Sequence, residues 1–574
     1  MTDLTLFTAL KRAAALDKPG TGLCYLDRHE RETWRSYPEL AERAACIAGG
    51  LKAAGVSAGD TVAIVLPTTP SFTDVFFGVI HLGAIPVPLY PPVRLGRLDE
   101  YFAKTATMLD RAGCSILVTD ERAGKLMGSV VSAASASVQI LRAASLESCP
   151  PVAPEPPGPD DIAMVQFSSG TTGEPKPVAL THRQVIANAS VILDVEPEDD
   201  NFCPSGVSWL PLYHDMGLIG CIFPALLYPG SLTLIPPEAF LAKPAIWLRA
   251  LSKYKGLISP APNFAYALCT ERIDDEELDG VDLSEWRFAL NGAEPTSPET
   301  MRAFTKRFSK WGLRSTALTP VYGLSEAALA VTFGTLDEAF TSERFDTAAL
   351  QSGQVKPDDD GMEIASVGHP LRGFGVEIRA GKEPAAADRI GRIWARGPSV
   401  MDRYLDGAPA PKDGEWLDTG DLGFVFNDQL YITGRAKDVI VIRGRNHAPS
   451  TLEAAVDTVP GVRTGCSAAV ASITGSGEEV LLFVEVRSDP PDDLEDQCLQ
   501  AVRAATGVTP DHIIRLKPGT LPRTSSGKIR RGEALQRWRS ETLTPPTQVG
   551  AVRLVSAVAR SAWSEWRGRQ ETRD

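Results

Sequence analysis

The sequence predicts an α/β protein: a large N-terminal domain of α/β subdomains with a small β-barrel-like subdomain, followed by a small mobile α+β C-terminal domain. Three observations carry this reading. Helical and strand periods alternate from Glu39 to Tyr90, short strands crowd together with hairpin-type turns from Gly368, and a new mixture of helix and strand begins after Arg435. At 574 residues the chain also exceeds what one ordinary core serves.

In chain order, ELAERAACIAGGLKAAG is amphipathic at helical spacing, TVAIVLP is a short apolar strand, and FTDVFFGVIHLGA returns to the helical period. The same rhythm recurs at CSILVTD, SVQIL and GSLTLIP, so parallel strands joined by helices are expected. Pro150 to Pro159 is a proline-rich connector that can be neither helix nor central strand. Met216 to Pro237 is apolar enough to suggest a membrane span, but Gly220, Pro224, Pro229 and Gly230 interrupt it, so it reads as buried helix, turn and strand. The strands VGHPL, GVEIRA, GRIWARG and LYITGR form the antiparallel β subdomain, about 366–435. A helix (TLEAAVDTV), two strands (GCSAAVAS, EVLLFVEV), an acidic helix (DDLEDQCLQAVRAATG) and a last strand (HIIRLK) make the C-terminal domain. The expected boundaries are 1–435, a hinge at 436–438, a lid domain at 439–540, and a tail at 541–574 whose run VRLVSAVARSAWSEWRGR reads as a terminal helix or a partner-docking segment.

A net charge of -14 argues against a surface for phosphate backbones, which needs clustered Lys and Arg, so no nucleic-acid partner is expected. Nine cysteines without a C-x-x-C pair suggest neither a zinc site nor a disulfide framework. The N-terminus has no signal-like apolar region, and a cytoplasmic location without stable membrane insertion is expected.

The strongest chemical signal follows the apolar strand IAMVQF: Ser168, Ser169, Gly170, Thr171, Thr172, Gly173, Glu174, Pro175, Lys176. Hydroxyls and exposed N–H groups in such a turn can surround an oligophosphate. It is not a Walker loop, because Pro175 stands where the second glycine belongs. Taken alone, such a turn is also an ordinary flexible loop.

Further segments match one family in order and kind: Asn291-Gly292-Ala293-Glu294-Pro295, Tyr322-Gly323-Leu324-Ser325-Glu326, Asp418-Thr419-Gly420-Asp421, Gly434-Arg435-Ala436-Lys437-Asp438 and Pro522-Arg523-Thr524-Ser525-Ser526-Gly527-Lys528. With the phosphate loop they make the chain resemble the acyl-adenylate-forming superfamily over residues 5 to 540, most closely its stand-alone fatty acyl-AMP ligases. The resemblance implies ATP as cosubstrate and Mg²⁺ on Glu326, a hard cation on an oxygen ligand. It implies Asp421 at the ribose hydroxyls with Arg435 beside the sugar, and Tyr322 against the adenine with Asn291 to Pro295 as the other wall. Gly323, Leu324 and Ser325 belong to the same ATP-binding set. Lys528 is implied as the catalytic lysine that meets charge building on the α-phosphate, Lys176 as a helper on pyrophosphate, His214 as a gate to the acyl pocket, and Lys437 as the hinge.

Two features resemble the ligase subgroup: the polar stretch 335–361, similar to the ligases' insertion that hinders the swing into a CoA-using orientation, and Gly444-Arg445-Asn446-His447 after the hinge. One departs from it, Ala448 standing where the ligases usually have an aromatic residue before the proline. The implied partners are a fatty acid and a phosphopantetheinylated acyl carrier protein. An acyl-CoA synthetase and a non-catalytic acyl or nucleotide-binding module remain the alternatives.

Overall fold

The computed structural model describes residues 4–92, 97–168, 174–192, 204–442, 445–474, 477–524 and 527–546. The phosphate loop 169–173, Gly444, Ser525, Ser526 and the amphipathic tail lie outside the described residues.

The N-terminal domain is built on two sheets. The larger has nine strands in the spatial order Glu32–Arg35, Gly22–Leu26, Ser231–Leu234, Ser205–Ser208, Ile258–Ala261, Phe288–Asn291, Leu318–Gly323, Ala330–Phe333, His369–Pro370. Neighbours from Gly22–Leu26 to Leu318–Gly323 run parallel, and the outer strands pair antiparallel. The second sheet is all parallel, in the order Ile85–Pro88, Thr61–Val65, Ile116–Thr119, Gln139–Arg142. Helices Tyr37–Ala53 and Pro70–His81 join the two sheets through one core that includes Tyr25, Ile47, Ile64, Phe76 and Leu234. The first helix starts where it does because Ser36 accepts from the Glu39 N–H while Glu39 returns a carboxylate to the Ser36 N–H. Such a reciprocal cap satisfies two otherwise orphaned donors and contributes about 1 kcal/mol.

The apolar stretch after Met216 packs as short helices, with a π-helical turn at Leu218–Ile222, and then as strand Ser231–Leu234. Among the described residues no helix is long and apolar enough to cross a membrane, and the eight described cysteines form no disulfide. The β subdomain is a six-stranded antiparallel sheet, in which Trp416–Phe426 pairs with Gln429–Arg435 and sets Asp421 opposite Arg435. Residues read as a polar link between Glu326 and Ser366 are folded: Ser342–Phe345 pairs with Met362–Ala365, and Thr347–Gln351 is a short helix.

From Ile440 onward two apolar clusters form without any earlier residue. They pack a sheet of Val462–Thr474, Gly477–Val486 and His512–Leu516 against helices Pro449–Asp457, Leu494–Thr506 and Arg531–Arg539. Several polar contacts seat this domain on the larger one. Arg537 makes a paired contact with Glu100 at 2.8 and 2.7 Å, Arg97 donates to the Thr520 carbonyl at 2.9 Å, and Gln351 donates to the Thr506 carbonyl at 3.1 Å.

His182 ties the N-terminal helix to this framework by accepting from the Leu6 N–H at 3.2 Å. Burial pushes its pKa down to about 4, Asp161 offsetting only part. The unfolded imidazole titrates near 6.5, so stability is complete above that pH and drains away as pH falls toward 4. Thermal unfolding between pH 7 and pH 4 should show a loss on the order of 2–3 kcal/mol from this group. His182→Gln, which keeps an acceptor for Leu6, should flatten that slope; an unchanged slope would remove His182 as its source.

Candidate active site

Three elements of different origin converge on one cavity of about 350 Å³. The hairpin of Ile162–Ser168 and Lys176–Thr181 contributes Ser168 and Lys176, which face one another across the strand pair. The C-terminal end of strand Leu318–Gly323 and the turn after it contribute Tyr322, Gly323, Leu324, Ser325 and Glu326. Lys528 enters from the C-terminal domain, in the turn where Thr524 N–H meets the Lys528 carbonyl at 2.7 Å and Lys528 N–H meets Thr524 Oγ1 at 3.0 Å. Parallel strands ending at one rim are the usual place for a ligand crevice in an open α/β sheet.

One end of the cavity is polar and cationic. Burial pushes the Lys528 pKa down, as does Arg435, while Asp215, Glu294 and Asp421 pull it back. Lys437 also lines the wall, its pKa lowered to about 8 by burial, Arg435 and Lys176 against the pull of Asp438 and Asp421. Lys176 lies 5.1 Å from the centroid of the Tyr404 ring, and the Tyr404 hydroxyl sits 3.4 Å from Glu326 Oε1. Glu326 forms no ion pair with a described cation. Its carboxylate faces the cavity and is free to take a hard cation. Among the described residues no group of three or more His, Cys, Asp or Glu side chains is built to hold a metal alone. Mg²⁺ characteristically binds through one or two carboxylates together with substrate phosphates. The other end is apolar, walled by Ile192, Met216, Leu290, Leu329, Ala330 and Phe333.

His214 also lines the cavity, with Nδ1 2.5 Å from Asp215 Oδ1. Asp421 does not line it. Its Oδ2 accepts from the Tyr322 hydroxyl at 2.8 Å and its Oδ1 pairs with Arg435 Nε at 3.0 Å, so it stands behind the two residues that do. Of the 291–295 segment only Ala293 reaches the cavity, in a left-handed turn at φ 69°. Asn291 is fully buried against Asn263, Glu294 accepts from the Phe264 N–H, and Gly292 permits a close approach, since a Cβ there would lie 2.8 Å from the Val321 carbonyl oxygen. These three support the wall instead of forming it.

Sequence reasoning missed Asp215, Tyr404, and the Arg392–Asp418 pair at 2.8 Å on the cavity rim. Asp215 had a signal, its place beside His214; Tyr404 sits in no recognisable pattern and reaches Glu326 only through the fold.

The family model described as "AMP-binding enzyme" matches residues 12–405. The "Putative ligase Rv1013" of Mycobacterium tuberculosis is 33% identical over 520 residues, covering 88% of this chain and 94% of that protein. The "Long-chain-fatty-acid--AMP ligase FadD26" of Mycobacterium bovis is 31% identical over 588 residues, covering 94% and 98%. A solved structure from studies of fatty acyl-adenylate ligases from E. coli and L. pneumophila superposes with a TM-score of 0.85 at 32% identity, covering 94% of this chain and 98% of that one.

The ammonium of Lys528 carries its charge only below its lowered pKa. If Lys528 meets the phosphates, kcat/KM for ATP in acid-dependent pyrophosphate exchange, which reports the free enzyme, should fall as pH rises through a midpoint below the ordinary lysine value of 10.5. Lys528→Arg should carry that fall beyond the measurable range; an unshifted midpoint would assign it to another group.

Proposed function

Because the chain belongs to the AMP-binding enzyme family, whose members form acyl-adenylates from an acid and ATP, we propose that it is a fatty acyl-AMP ligase serving a carrier protein. The observation that carries this reading is that Lys528, Ser168, Lys176, Tyr322 and Glu326 wall one cavity whose far end is apolar.

A carboxylate oxygen of the fatty acid attacks the α-phosphorus of ATP, the bond to the β,γ-phosphates breaks, and pyrophosphate leaves. Negative charge grows on the α-phosphoryl oxygens during that step, and a fixed ammonium in a partly dry site stabilises it far more than in water. Lys528 takes this role in the proposed reaction, with Lys176 on the departing pyrophosphate. Glu326 would hold Mg²⁺, which supplies charge neutralisation at the phosphates when bound. The Tyr322 ring offers a face for the base, and Arg435, held from behind by Asp421, stands at the cavity wall for the sugar. Apolar walls at Ile192, Leu290 and Phe333 suit an alkyl chain.

In the second step a phosphopantetheine thiolate attacks the acyl carbon, a thioester forms, and AMP leaves. A pivot at Lys437 would withdraw Lys528 and present another face of the C-terminal domain. The preference for a carrier over free CoA rests on the resemblance of the 335–361 segment to the ligases' insertion, a segment that Gln351 ties to the C-terminal domain through the Thr506 carbonyl.

Lys528→Ala should lower adenylation about 100- to 1000-fold while largely sparing ATP binding. The decisive assay is acid-dependent pyrophosphate release across acids of increasing chain length, with CoA or with a phosphopantetheinylated carrier as acceptor. Alkyl acids should support release, and thioester should accumulate on the carrier and not on CoA. Fast acyl-CoA formation would make the protein a CoA synthetase, and no release with any acid would defeat the reading altogether.

A further inference from the structure

One buried carboxylate at the cavity is used by none of the steps above. Asp215 is 4% exposed and joins two walls of the site. Its Oδ1 lies 2.5 Å from His214 Nδ1 and accepts from the Met216 N–H at 2.7 Å; its Oδ2 accepts from the Ser325 hydroxyl at 2.5 Å. His214 lines the cavity two residues before the apolar Met216, and Ser325 immediately precedes Glu326 on another wall.

We propose that Asp215 is a positioning residue for adenylation: it holds His214 with Nδ1 as the hydrogen-bond donor and locks that ring in register with the loop bearing Glu326. The proposal rests on reading the cavity as the adenylation site. Its chemistry follows from donor and acceptor counts. A carboxylate only accepts, so the Nδ1 facing it must carry a proton. Nε2 is then the ring nitrogen left to a ligand, in a side chain that lines the cavity and whose Nε2 has no hydrogen-bond partner among the described residues. Burial alone would raise the Asp215 pKa, but His214, the Ser325 hydroxyl and Lys528 outweigh it and hold the carboxylate ionised, with a pKa of about 2. The anion that fixes the imidazole is therefore present throughout the working pH range. Because the two oxygens serve two different walls, loss of the charge misaligns the acyl mouth against the phosphate end, and a displacement of about 1 Å is enough to cost roughly 100-fold in rate.

The experiment compares Asp215→Asn, His214→Ala, Ser325→Ala and the His214/Asp215 double variant in acid-dependent pyrophosphate exchange, with thermal midpoints and the imidazole N–H proton resonances recorded on the same samples. Asp215→Asn should lower kcat about 100-fold with KM for ATP nearly unchanged, and the double variant should be no slower than His214→Ala, because residues acting as one unit are not additive. A downfield Nδ1–H resonance should be present in the parent protein and lost in both Asp215→Asn and His214→Ala. Ser325→Ala, the milder cut, should slow exchange about 10-fold and add nothing to Asp215→Asn. Multiplicative losses in the double variant, near-parental rates for Asp215→Asn, or retention of the resonance without Asp215 would each overturn the proposal. A parent protein inactive with every acid would instead strike the adenylation reading, and the resonance would still report on the His214–Asp215 contact.

Discussion

Everything about this site depends on one electrostatic constraint: an ammonium on the C-terminal domain must sit in a cavity whose other walls belong to the N-terminal domain. Lys528 forms no ion pair with a described carboxylate, and burial disfavours its charge. An unpaired cation in such a place is costly until an anion arrives. Lys176 and Lys437 stand in the same cavity and Lys176 adds to the repulsion on Lys437. The protein keeps this arrangement by seating the domain through residues that do not line the cavity, Arg537 on Glu100 and Arg97 on the Thr520 carbonyl.

Much of this was legible in the sequence, for a physical reason. The strands Thr61–Val65 and Ile116–Thr119 are short apolar runs with turn residues after them, and the helices between carry a clear apolar stripe, so local pattern and tertiary burial agree. The C-terminal strand and helix order was readable on the same grounds. Cavity-lining residues carried by strings of fixed spacing, Tyr322 to Glu326 and Lys528 above all, could be named because those strings carry the resemblance to the family. The segment 335–361 was less readable: its strand Ser342–Phe345 is only partly buried and gives no strong period, and its order comes from pairing with Met362–Ala365.

What the sequence could not show is which member of a motif touches the cavity and which stands behind it. Asn291, Glu294 and Asp421 belong to their strings as firmly as Ala293 and Arg435 do, but the direction of a side chain at the end of a strand depends on neighbours far away in the chain. Glu294 is turned to the Phe264 N–H and Asp421 to Tyr322, contacts spanning 30 and 99 residues. Tyr404 is the converse case, a residue in no motif that the fold brings under Lys176 and beside Glu326.

The bond from the Tyr322 hydroxyl to Asp421 has a consequence for which nucleotide can be read. A phenol that donates its proton to a carboxylate keeps only acceptor lone pairs, so under the proposed function this ring offers a base a stacking face but no donor.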